Sequence, residues 1–75
     1  MPYVAIKAYP KDEEAVKQVV DRINDILLET FGCPQKAVNI SYEEVAPEDW
    51  DDKVREPEIL AKTDRMMIMD GEKKY

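Results

Sequence analysis

Seventy-five residues with a net charge of −6, no histidine and a single cysteine leave few options open. A chain this short buries only about 60–65% of its unfolded surface, and scaffolds below roughly 70–80 residues usually need disulfides, a metal or oligomerisation. The lone Cys33 excludes an internal disulfide, one thiol without histidine cannot build a zinc site, and the acidic balance argues against nucleic acid and anionic membranes. Oligomerisation is the remaining source of stability, and no metal or cofactor is expected.

Residues 3–9 (Tyr-Val-Ala-Ile-Lys-Ala-Tyr) have the β-branched and aromatic content of a strand that stops at Pro10. Val4, Ile6 and Ala8 share one face; Tyr3, Ala5, Lys7 and Tyr9 share the other. Asp12 is placed as an N-cap before an acidic first turn, Glu13-Glu14, that suits the helix dipole. Val16, Val19, Val20, Ile23, Ile26, Leu27 and Phe31 then recur at helical spacing, and Glu13 and Lys17 stand at i,i+4. Gly32, followed by Pro34, ends the helix. A second strand is expected from Ala37 to Val45, with Val38, Ile40 and Tyr42 on one face.

Strand, helix and strand at this spacing make a βαβ unit with parallel strands. Alone it leaves both sheet edges open and the helix stripe poorly covered, so it calls for a partner. Beyond Val45, Pro47 starts a short helix reaching about Arg55. Pro57 then interrupts it and restarts a helix carrying Ile59, Leu60, Met66 and Met67, and residues 70–75 form a frayed tail. The whole chain, 1–75, is thus one domain: a 2–45 β-α-β unit, a 46–69 helical segment and the 70–75 tail. The acidic stretch from Glu48 to Asp52 reads as a solvated helix start, since its spacing does not match a calcium loop. The Met66, Met67 and Met69 cluster reads as interface packing.

Four residues are candidates for chemistry. Removal of Met1 would expose the secondary amine of Pro2 at the start of a strand. An α-amino group titrates near pH 8. A cation roughly 6 Å away, at an effective dielectric near 20, disfavours its protonated form by about 2.8 kcal/mol, enough to leave a free base at neutral pH. Lys11, just after the first strand, is either that cation or a solvated loop lysine, and the sequence alone favours the solvated reading. Trp50, the only tryptophan, either walls an apolar pocket or packs the C-terminal segment. Cys33 has no histidine partner and reads as a small packed residue.

These features resemble the 4-oxalocrotonate tautomerase family, in particular its short dimeric branch with a longer C-terminal tail. The resemblance rests on Met1-Pro2 before an alternating strand, Tyr9-Pro10-Lys11 before the long helix, Gly32-Cys33-Pro34 after it, and Ile-Ser-Tyr-Glu-Glu-Val-Ala-Pro-Glu-Asp-Trp at 40–50. It implies an α+β fold of two parallel strands, one long helix and short C-terminal helices, assembling as a homodimer around a four-stranded sheet. It also implies that Pro2 shuttles a proton between an enol oxygen and carbon, that Lys11 is the cation after the first strand, and that Trp50 is the aromatic wall. Asn39 stands where the best-known members carry an arginine that holds a substrate carboxylate; it donates a hydrogen bond but brings no charge.

The resulting expectation is a cytoplasmic homodimeric tautomerase acting on small 2-hydroxy-dienoate or arylpyruvate-type carboxylates. Pro2 is the catalytic group, and Lys11, Asn39 and Trp50 bind substrate. The cytoplasmic assignment rests on the single unpaired cysteine and on the lack of a signal-peptide pattern or an apolar run long enough to span a membrane. Two alternatives remain: related proline chemistry (hydration, dehalogenation or decarboxylation of unsaturated acids), or a non-catalytic dimeric binding protein.

Overall fold

A computed structural model describes residues 1–75, in two compact units, Met1–Glu44 and Val45–Tyr75. In the first unit the alternating segment forms β1 (Tyr3–Ala8), the apolar stripe forms α1 (Glu13–Phe31), and β2 (Asn39–Glu44) follows. β1 and β2 pair in parallel, with Tyr3 opposite Asn39, Ile6 opposite Tyr42 and Ala8 opposite Glu44. Parallel neighbours cannot be joined by a tight turn, and α1 supplies the crossover. This is the α+β, β-α-β architecture expected from the sequence.

The period-two pattern decides the two sheet faces. Val4, Ile6, Ala8, Ile40 and Tyr42 are half-buried, whereas Tyr3, Ala5, Asn39, Ser41 and Glu43 are exposed. On α1 the half-buried positions are Val16, Val20, Ile23, Leu27 and Leu28, together with Asn24. One edge of the apolar stripe stays open at Val19 and Ile26, 50% and 54% exposed, and Phe31 at the last position of the helix is 66% exposed. Ala37 is the one buried apolar residue of this unit.

Gly32 closes α1 in the left-handed region (φ 66°), its N–H donating to the Leu28 carbonyl at 3.1 Å, a geometry that glycine adopts without penalty. At the other end the Asp12 carbonyl accepts from the Val16 N–H at 3.1 Å, but the Asp12 side chain makes no capping bond. Asp12 therefore marks the helix start through its backbone alone. Lys17 reaches Glu13 at 3.3 Å.

The second strand starts later than its composition suggests. Gln35–Ala37 form a 3-10 turn, with Ala37 N–H bonded to the Pro34 carbonyl at 3.0 Å and Val38 N–H to Gln35 at 3.1 Å. These bonds divert backbone groups that a strand would need for its ladder. A reciprocal amide pair tethers this turn to α1: Asn24 Nδ2 donates to Gln35 Oε1 at 3.0 Å, and Gln35 Nε2 donates to Asn24 Oδ1 at 2.7 Å.

The second unit departs further from expectation. Pro47–Asp49 form a 3-10 turn, and Asp51–Ile59 then run as a π-helix with Pro57 inside it. Proline lacks an N–H and its ring crowds the carbonyl of the preceding turn; a wider turn relieves that crowding, so the helix is distorted where a break was expected. A 3-10 segment, Leu60–Arg65, follows, with a kink at Lys62 (φ −127°, ψ 32°). The helical path ends there, and Met66 and Met67 lie beyond it.

Residues 70–75 are not a frayed tail. Ile68–Met69 (β3) and Glu72–Lys73 (β4) pair antiparallel, and the Lys74 N–H donates to the Met67 carbonyl at 2.8 Å. Asp70 and Gly71 turn the hairpin with φ 52° and 81°, the positive values an Asp-Gly hairpin turn demands. Arg55 clamps the turn with both guanidinium arms, Nη1 to Asp70 Oδ1 at 2.6 Å and Nη2 to Oδ2 at 3.1 Å. The paired donors hold the Asp70 carboxyl below its usual range and raise the guanidinium in turn. Val45 and Val54 are the buried side chains of this unit.

Candidate active site

Pro2 precedes β1 by one residue and is half-buried. Its carbonyl accepts from the Asn39 N–H at 3.2 Å, a bond that belongs to the Tyr3–Asn39 pair at the start of the parallel ladder. The ring is thus fixed against a sheet strand by its own backbone, while Met1 beyond it is 95% exposed. As long as Met1 is attached the Pro2 nitrogen is a tertiary amide without basicity; once Met1 leaves, the same atom is a secondary amine at the same strand end.

Asn39 is therefore held next to Pro2 by main-chain bonding whatever its side chain. That side chain is exposed, and its Nδ2 donates to the Ala37 carbonyl at 3.2 Å, which leaves a second N–H and the carbonyl oxygen for a ligand. The amide itself brings no charge to this position.

Lys11 is exposed and lies in the connection between β1 and α1. It borders a cavity of about 250 Å³ whose other walls are Ile6, Ala8, Ala15, Val16, Val19 and Tyr42. The cavity wall is wholly apolar, so Lys11 and Tyr42 line it with their carbon atoms and not with the ammonium or the hydroxyl. The sequence marks Tyr42 only as a strand-face residue; its hydroxyl donates to the Tyr9 carbonyl at 3.2 Å, a contact across 33 residues that no local pattern signals.

Pro2 and Lys11 of one chain are not brought together. β1 separates them, and at about 3.3 Å per residue Pro2 stands roughly 20 Å from the far end of the strand. At that distance two unit charges in water interact by only about 0.2 kcal/mol before salt screening. Trp50 belongs to the second unit, half-buried between the 3-10 turn and the π-helix.

Residues 2–53, which include the whole β-α-β unit, match the family model of the tautomerase enzymes. The chain belongs to the tautomerase family, whose members are isomerases. Among curated proteins it is similar to Tautomerase PptA of Pectobacterium atrosepticum, at 29% identity over 73 residues, 95% of this chain and 96% of that protein. Tautomerase PptA of Pectobacterium carotovorum subsp. carotovorum matches at 26% over 73 residues, with the same coverage. A probable tautomerase of Xylella fastidiosa matches at 26% over 72 residues, 95% of this chain and 88% of that one. No helix of the chain is long and apolar enough to cross a membrane.

Proposed function

We propose that the chain, after loss of Met1, catalyses keto–enol proton transfer on small carboxylates of the 2-hydroxy-dienoate or arylpyruvate type, with the Pro2 amine as base and then acid. The observation that carries this reading is the hydrogen bond from Asn39 N–H to the Pro2 carbonyl. It fixes a ring nitrogen at a strand end, so the base costs little entropy to position. The amine takes the enol proton and returns it to carbon, a contribution typically worth about 10²–10⁴-fold.

The working form is a homodimer. Three features support it: Val19, Ile26 and Phe31 leave apolar surface of α1 open, Ala37 is the single buried apolar residue of the β-α-β unit, and β1 pairs with only one neighbour. Fully covering an apolar side chain of this size contributes about 1.5–3 kcal/mol, so half-exposed ones retain a substantial share for association. A second copy joined antiparallel along the free edge of β1 makes a four-stranded sheet. It also sets the start of one β1 beside the end of the other, which brings each Pro2 towards the partner subunit's Lys11. That ammonium would bind the substrate carboxylate and disfavour protonated Pro2. Asn39 hydrogen-bonds the substrate oxygen, and Trp50 covers its apolar part. A cytoplasmic location fits the free Cys33.

The test is kinetic. Pro2→Ala in protein freed of Met1 should lower kcat/KM for phenylenolpyruvate ketonisation at least about tenfold, with an unchanged melting temperature. Equal rates would remove Pro2 from the mechanism.

A further inference from the structure

The β1–α1 connection, residues 9–12, carries Lys11 between two rigid elements. Its second half is bound to the helix through the Asp12 carbonyl and the Val16 N–H. Its first half is Tyr9-Pro10. Pro10 disfavours a helical conformation for the preceding residue, so the Tyr9 carbonyl does not simply join the helix ladder and a donor from elsewhere can tie it down. Tyr42 is that donor. It lies on β2 opposite Ile6, two residues before the end of β1, and its hydroxyl reaches the Tyr9 carbonyl at 3.2 Å. The same ring and Lys11 are two walls of one apolar cavity of about 250 Å³.

We infer that Tyr42 is a positioning residue for the substrate-binding ammonium: its hydroxyl anchors the Tyr9 carbonyl and so fixes the loop from which Lys11 meets the substrate carboxylate. The inference rests on the proposed role of Lys11 and extends it to a residue that need not touch substrate. A phenylalanine would fill the cavity wall equally well. What tyrosine adds is a hydroxyl that crosses from β2 to the loop. Without it, Lys11 has a wider range of positions to give up when it binds an anion, and affinity falls while the proton transfer at Pro2 does not.

Steady-state kinetics of four full-length proteins freed of Met1 test this: the natural chain, Tyr42→Phe, Lys11→Ala and the double variant, each assayed on the pH plateau with phenylenolpyruvate. Tyr42→Phe is expected to raise KM about three- to tenfold, the range of one lost hydrogen bond, with kcat within about twofold. The double variant is expected to be no worse than Lys11→Ala alone, because the anchor has nothing left to position. The inference is overturned if Tyr42→Phe leaves KM unchanged, or if the two losses multiply, which would mean that Tyr42 acts independently of Lys11. If Lys11→Ala itself leaves KM unchanged, the role given to Lys11 falls and takes this inference with it. A Lys11→Ala effect without a Tyr42→Phe effect refutes the inference alone. Packing effects are separated by the melting temperature, which a purely structural role would lower without the dependence on Lys11.

Discussion

The Asn39 N–H donates to the Pro2 carbonyl at 3.2 Å, so two residues 37 positions apart in sequence form the last rung of the parallel ladder. This bond uses no side chain of Asn39, so the side chain can be changed without unfastening Pro2. Asn39→Ala should cost at most about 0.5–1.5 kcal/mol, the worth of its bond to the Ala37 carbonyl. Asn39→Arg should shift preference towards dicarboxylates, because a guanidinium offers a fork to the second carboxylate. Relative kcat/KM for a monocarboxylate and a dicarboxylate enol checks this, and an unchanged ratio would show that position 39 does not face the substrate.

Lys11 should govern both affinity and the pH at which the amine becomes active. A nearby cation disfavours protonated Pro2, so removing it raises the pH at which the amine loses its proton. Lys11→Ala should therefore raise KM and move the rising limb of the pH–rate profile upwards. If neither moves, Lys11 is the solvated loop lysine that the sequence alone favours.

Trp50 separates pocket from packing. As a pocket wall, its fluorescence should change when a cinnamate binds, and Trp50→Ala should cost more in kcat/KM than in melting temperature. A large fall in melting temperature with unchanged kinetics would assign Trp50 to packing of the second unit.

The hairpin clamp gives a stability signature in acid. Hydrogen bonding to Arg55 lowers the Asp70 pKa in the folded chain, so the clamp's contribution is fully present above the unfolded carboxyl value, about 3.9. It is lost as pH falls through the lower folded value. Exchange protection of the Lys74 amide, bonded to Met67, should persist at pH 5 and disappear in strong acid. Arg55→Ala should abolish it already at neutral pH.

What the sequence discloses follows from how local each signal is. Alternation at Val4, Ile6 and Ala8 marks β1, and the stripe from Val16 to Phe31 with Gly32 behind it marks α1, because each needs only neighbours a few residues away. Pairing of Asn24 with Gln35, of Tyr42 with Tyr9, and of Arg55 with Asp70 is set by tertiary geometry and leaves no periodic trace. The hairpin did have a local signal: Asp70-Gly71 is a strong turn dipeptide. Its flanking strands are only two residues each, too short to show alternation, and the polar ending reads as fraying. The proposed approach of Lys11 to Pro2 is of a third kind: it requires strand pairing between copies, because within one chain roughly 20 Å of β1 stands between them.

The central claim is that a free Pro2 amine does the chemistry. The most direct measurement compares phenylenolpyruvate ketonisation by two preparations of the same chain, verified by intact mass, one with Met1 removed and one with Met1 retained. An amide nitrogen cannot take the enol proton, so the processed protein should be active and the unprocessed protein nearly inactive, although both fold alike. Equal rates from the two preparations would contradict the mechanism.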